Sequence, residues 1–150
     1  MANYDKQMAE RVWQRVQGST EQEKLNLRGM IQEELTAAAA YHQLARQIGG
    51  RDGELLQRMA REEQSHADCL RGIHKLTTGE SVAMKMPRPV PDRPQLQLRR
   101  AYAGELKAVA AYDALRTHGE YGHVFAALGD QEREHSRRVL EILGRLEGSN

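Results

Sequence analysis

Apolar residues recur at helical spacing through most of this chain, and the pattern divides it into five segments. Residues Tyr4 to Gln17 set Met8, Val12 and Val16 four apart with Trp13 beside them, which predicts a short amphipathic helix ended by Gly18. Packing against one end of the domain or against another subunit is its expected role, with Trp13 as the anchor. Thr20 with Glu23 three residues later has the form of a capping box, and predicts a long helix running to Ile48, where Gly49 and Gly50 stop it. Its stripe is Leu27, Met30, Ile31, Glu34, Ala38, Tyr41, Ala45 and Ile48, and Glu34 is the only charged member. Glu33 lies about 100° away and is expected in solvent.

A second long helix is predicted from Glu54 to Leu76, closed by Thr77 to Gly79, with Leu56, Met59, Leu70 and Ile73 on its inner face. The segment from Glu80 to Pro94 holds all 4 prolines of the chain and cannot be a helix interior. At about 3.3 Å per residue it is long enough to cross a domain from end to end, and Met84 and Met86 are placed to pin it down. Asp92 is a candidate N-cap for a third helix from Pro94 to Thr117, with stripe Leu98, Ala101, Glu105, Ala108, Tyr112 and Leu115. Gly119 and Gly122 mark a turn. A fourth helix is predicted from Tyr121 to Leu146, with Phe125, Leu128, Val139, Ile142 and Leu146 facing inward.

Composition agrees with an all-α chain packed through small side chains, since Phe, Trp and Tyr make up only 5% of its 150 residues. That length predicts one domain, residues 1–150, large enough for a core without disulfides. Lys and Arg number 22 against 21 Asp and Glu, so no surface is set aside for nucleic acid or an anionic membrane. Cys69, the 1 cysteine, excludes an internal disulfide and a four-cysteine metal site. A reducing, cytoplasmic setting is expected, with neither an apolar leader at the N-terminus nor a membrane span.

The chemistry lies where charged residues interrupt the apolar stripes. Glu63 and His66 stand three apart, on one helix face and about 4.5 Å apart along the axis, so a single ion can touch both. Burying an ionised carboxylate there calls for a cation or strong hydrogen bonds. A lone Glu-x-x-His is common on charged helices, but Glu132 and His135 repeat it in the fourth helix. The first and third helices also match: ELTAAAAYHQLA carries Glu34 and Tyr41, and ELKAVAAYDALR carries Glu105 and Tyr112. Two helix pairs about 70 residues out of step, joined by a long crossover, are expected to assemble as a pseudo-symmetric four-helix bundle. Glu34, Glu63, His66, Glu105, Glu132 and His135 then converge near its middle.

On these residues the chain, over about positions 20 to 146, resembles the ferritin-like di-metal carboxylate proteins and within them the rubrerythrin type. The resemblance implies an antiparallel four-helix bundle with one long crossover and a dinuclear site held by those six residues. Glu63 and Glu132 look like the bridging carboxylates, Glu34 and Glu105 like the outer ones, and His66 and His135 like the nitrogen ligands. Four carboxylates offset the charge of two divalent ions, and oxygen with imidazole suits iron first and manganese as the alternative. Tyr41 and Tyr112 are placed to hydrogen-bond a ligating carboxylate from a partner helix, or else simply to fill the core.

The resemblance further implies an oxidoreductase that reduces hydrogen peroxide or dioxygen with electrons from an external donor, since the chain carries no rubredoxin-like Cys-x-x-Cys pairs. Ferritin-type ferroxidase or iron-handling activity, with Fe(II) as substrate, and a non-catalytic metal-binding bundle are the alternatives. Ala108 stands where rubrerythrins carry an extra carboxylate, which puts their redox-linked ligand exchange in doubt. A homodimer is the expected assembly. His42, His74, His118 and His123 fall off the stripes and are expected at the surface, and Cys69 is expected as a buried small residue.

Overall fold

The computed structural model describes the backbone of residues 2–148 and the side-chain surroundings of residues 7–12 and 27–148. Among the described residues there are four helices and no strand: α1 (Ala2–Ile48), α2 (Gly50–Thr78), α3 (Pro94–Leu115) and α4 (Gly122–Gly148). The all-α expectation therefore holds. A separate N-terminal helix does not, because α1 continues through Gly18 and Thr20 as one element of 47 residues. One glycine inside a helix costs only about 1 kcal/mol, too little to impose a break when the residues on both sides favour helix. Met8 and Val12 are exposed, so they do not pack against this chain's own bundle, and Trp13 lies outside the described side chains.

The breaks that do form rest on backbone geometry. Gly49 and Gly50 both have positive φ, 66° and 60°, and turn the chain from α1 into α2. Three residues on, Gly53 passes so close to α1 that a Cβ there would lie 2.8 Å from the Ala45 carbonyl oxygen. At the far end of α2, Gly79 at φ 76° returns its N–H to the Lys75 carbonyl. Pro94 opens α3 with Arg93 in the capping position, so Asp92 is not the N-cap. Its carboxylate instead accepts from the Arg93 N–H and pairs with Arg100, and its carbonyl accepts from Gln97 and Gln47.

Each neighbouring pair of helices runs antiparallel, as the cross-helix contacts show. Gln47 meets Gln97 and Glu33 meets Lys107 between α1 and α3, while Asp52 meets Arg145 and Glu62 meets Arg138 between α2 and α4. The connection from α2 to α3 is without helix, and it is held by Val82, which is buried, and Met84, which packs on the core. Met86 is exposed and pins nothing. The interior has two apolar regions, one built around Leu27, Ile31, Leu70, Tyr112 and Phe125, the other around Tyr41, Leu44, Leu56, Leu98 and Ile142. Between these apolar regions lies a layer of buried carboxylates and histidines.

Candidate metal centre

Glu34, Glu63, His66, Glu105, Glu132 and His135 are all 3% exposed or less. Their donor atoms form two overlapping groups, Glu34–Glu63–His66–Glu132 and Glu63–Glu105–Glu132–His135, and within each group all four atoms lie within 4.8 Å of one another. Glu63 and Glu132 belong to both. Each helix contributes because its stripe carries one charged turn: Glu34 from α1, Glu63 and His66 from α2, Glu105 from α3, Glu132 and His135 from α4. So many acidic groups cannot be buried together as bare anions, and the protein's own groups answer this in part. His66 Nδ1 faces Glu132 at 2.9 Å and Glu34 at 3.3 Å, and His135 Nδ1 faces Glu63 and, at 3.2 Å, Glu132. The two imidazoles stack with centroids 5.8 Å apart.

The tyrosines link the two cores to this layer. Tyr112, rooted in one apolar region, donates its hydroxyl to Glu34 Oε1 at 2.8 Å, and Tyr41, rooted in the other, donates to Glu105 Oε1. Each thus fixes a carboxylate from a helix of the other pair. Burial raises both phenols well above their ordinary range, with the charges of Glu34 on Tyr112 and of Glu105 on Tyr41 adding to it, so both stay protonated donors.

As a set of protein groups alone, the layer holds protons at neutral pH. Burial raises Glu105 to about 10, helped by Glu132, and raises Glu63, helped by Glu34. Burial works against Glu132 too, but hydrogen bonds from His135 and His66 outweigh it and hold it below the usual carboxylate range. His66 is pulled down by burial and then pushed up to about 11 by its bonds to Glu132 and Glu34. A layer that must retain protons or gain cations to remain buried has the character of a metal-ligand set.

Two residues missed in the sequence complete the arrangement. The outer nitrogen of each histidine has its own partner: His66 Nε2 meets Gln131 Oε1 at 2.5 Å, and His135 Nε2 meets Glu62 Oε2 at 2.5 Å. Glu62 and Gln131 occupy equivalent places in the repeat, one residue before each Glu-x-x-His glutamate, and that register was the signal available to find them. The pair is chemically unequal, a carboxylate on one side and an amide on the other. Glu62 also lies 3.6 Å from Arg138 and is 42% exposed, so it joins the buried His135 to solvent.

The remaining expectations divide. Glu33 is exposed and paired with Lys107, as expected. His123 is exposed and His42 and His118 are half-buried, but His74 is fully buried, because it follows Leu70 by one turn and the inner face of α2 is wider there than one stripe. Cys69 is half-buried against the core, and burial raises its thiol. Ala108 is half-buried at the edge of a cavity and offers no ligand atom. No described helix is long and apolar enough to cross a membrane. Comparison with protein-family models, with curated proteins and with solved structures finds no match for this chain.

Proposed function

We propose that this chain is a ferritin-like four-helix-bundle protein that holds two metal ions, iron first and manganese as the alternative, and reduces hydrogen peroxide or dioxygen with electrons from outside. The observation that carries the reading is the pair of overlapping, fully buried donor groups sharing Glu63 and Glu132. Two shared carboxylates with one further carboxylate and one imidazole per ion make up the donor set of di-metal carboxylate bundles, and these six residues match it. Glu34 and His66 would hold one ion, Glu105 and His135 the other. A pair of ferrous ions supplies two electrons, which with two protons take one molecule of hydrogen peroxide to two of water.

The chain's own part is to orient and to move protons. Tyr41 and Tyr112 keep the outer carboxylates from rotating as charge changes between them. Glu62 gives His135 a hydrogen-bonded connection to solvent on the α2–α4 side. With Ala108 in place of a carboxylate, the ligand exchange of rubrerythrins has no residue to carry it here.

Anaerobic protein loaded with Fe(II) should consume about one peroxide per two irons, faster than free Fe(II) at the same concentration. Consumption no faster than that of free Fe(II) would end the oxidoreductase reading. Iron-handling activity is separated by the count, since it would oxidise many Fe(II) ions per chain and release them.

A further inference from the structure

A cavity of about 290 Å3 opens between α1 and α3, under the Pro87–Val90 stretch of the crossover. It exists because the facing positions are small. Ala37 and Ala40 of α1 look across at Ala101, Gly104 and Ala108 of α3, and a Cβ placed on Gly104 would meet nothing within 4 Å. Its walls are apolar while its inner end reaches Glu34, Glu63 and Glu105. At roughly 30 Å3 per water-sized group it has room for a molecule of about ten non-hydrogen atoms.

Two polar side chains on the lining indicate what kind of molecule. Arg88 reaches the cavity from the crossover, is exposed, and has no ion pair among the described residues, whereas Arg100, also on the lining, is taken by Asp92 at 3.1 Å. Gln43 Oε1 is buried on the same lining and has no hydrogen-bond partner among the described residues, so a ligand donor that reaches it is favoured. The inner end offers Glu34, Glu63 and Glu105 and no basic side chain, so an anionic head finds its partner at Arg88.

We propose that this cavity is a binding site for a small organic monoanion, with its anionic head on Arg88, an apolar or aromatic body between α1 and α3, and a hydroxyl or N–H donor for Gln43. Binding requires only protein groups. Treating the occupant as a substrate of the metal centre rests on the reading above, and binding and metal content are measured separately.

The probes are 4-hydroxybenzoate, benzoate and 4-hydroxybenzyl alcohol, titrated by protein-observed NMR into protein as purified and again after chelation. 4-Hydroxybenzoate should bind with a dissociation constant on the order of a millimolar or tighter, with shifts confined to α1, α3 and the crossover. The alcohol, lacking the anion, should bind about tenfold more weakly, and benzoate about fivefold more weakly because Gln43 loses its donor. Arg88→Ala should abolish the preference for the anion and Gln43→Leu the preference for the hydroxyl, while Gly104→Leu should fill the space and abolish binding in a protein of unchanged helicity. Failure of all three probes to bind would overturn the proposal. So would unchanged affinity in Gly104→Leu, an alcohol as tight as the acid, or binding that vanishes on chelation. Loss of metal stoichiometry with binding intact would instead refute the metal centre alone.

Discussion

Replacing Glu62 with Gln tests whether the two halves of the centre differ as the repeat suggests. In the wild-type chain His135 Nε2 meets a carboxylate at 2.5 Å and His66 Nε2 meets an amide oxygen at the same distance. A carboxylate makes the imidazole the more basic ligand, and such outer partners typically change metal affinity by 10- to 100-fold. Glu62 is 42% exposed and shared with Arg138, so solvent and that cation weaken it and the lower end, about tenfold or ~1.4 kcal/mol, is expected. Anaerobic Fe(II) or Co(II) titration should therefore give two unequal steps. Glu62→Gln should bring them together by weakening the tighter step, and Gln131→Glu should bring them together by strengthening the weaker one. If both substitutions leave both constants unchanged, the outer partners do not tune the ligands and the reasoning fails.

Tyr112→Phe removes the 2.8 Å bond to Glu34, and should cost about 1–2 kcal/mol of stability and roughly tenfold in metal affinity, read by thermal melts and titration. In metal-free protein, burial works against His66 but bonds to Glu132 and Glu34 outweigh it and push His66 up to about 11, and burial pushes Glu105 up to about 10, from ordinary values near 6.5 and 4.5. The stability they give is therefore present below those ordinary values and is lost as pH rises toward 10, so melts in chelator should fall between pH 7 and 10. Metal displaces the same protons, so affinity should move the opposite way and tighten with pH, with proton release visible by calorimetry in buffers of different ionisation enthalpy. Gly122→Ala should cost about 1–3 kcal/mol because a Cβ there lies 2.5 Å from the Arg116 carbonyl oxygen. The control Gly144→Ala, with nothing within 4 Å, should be neutral or stabilising by up to about 1 kcal/mol.

Why some of this was legible in the sequence and some was not has physical reasons. Glu34, Glu63, Glu105 and Glu132 stood out because each lies where an apolar stripe demands a core residue, and burial makes such a position exceptional. Tyr41 and Tyr112 followed from the same stripes, since two turns along a helix places a side chain within reach of the neighbouring helix. The boundary at Gly18 was misplaced because a glycine is only a weak helix breaker when its neighbours favour helix. Asp92 was misread because Pro94 sets the start of α3 by its own geometry, which leaves Arg93 in the cap and frees Asp92 for Arg100. Glu62 and Gln131 were hidden by their position beside the stripe, where a polar residue is ordinary; the repeat register marks them as equivalent, and the placement of the histidine rings shows their role. His74 was hidden for the complementary reason, a polar residue drawn inside by a wide helix face.

The proposed dinuclear centre rests on six buried residues. Its most direct test is metal analysis of the purified chain together with an anaerobic Fe(II) titration of the wild type and of Glu63→Ala combined with Glu132→Ala. Two irons per wild-type chain, both lost when the shared carboxylates are removed, is the predicted result. Less than one ion per chain, or binding unchanged in the double variant, would contradict it.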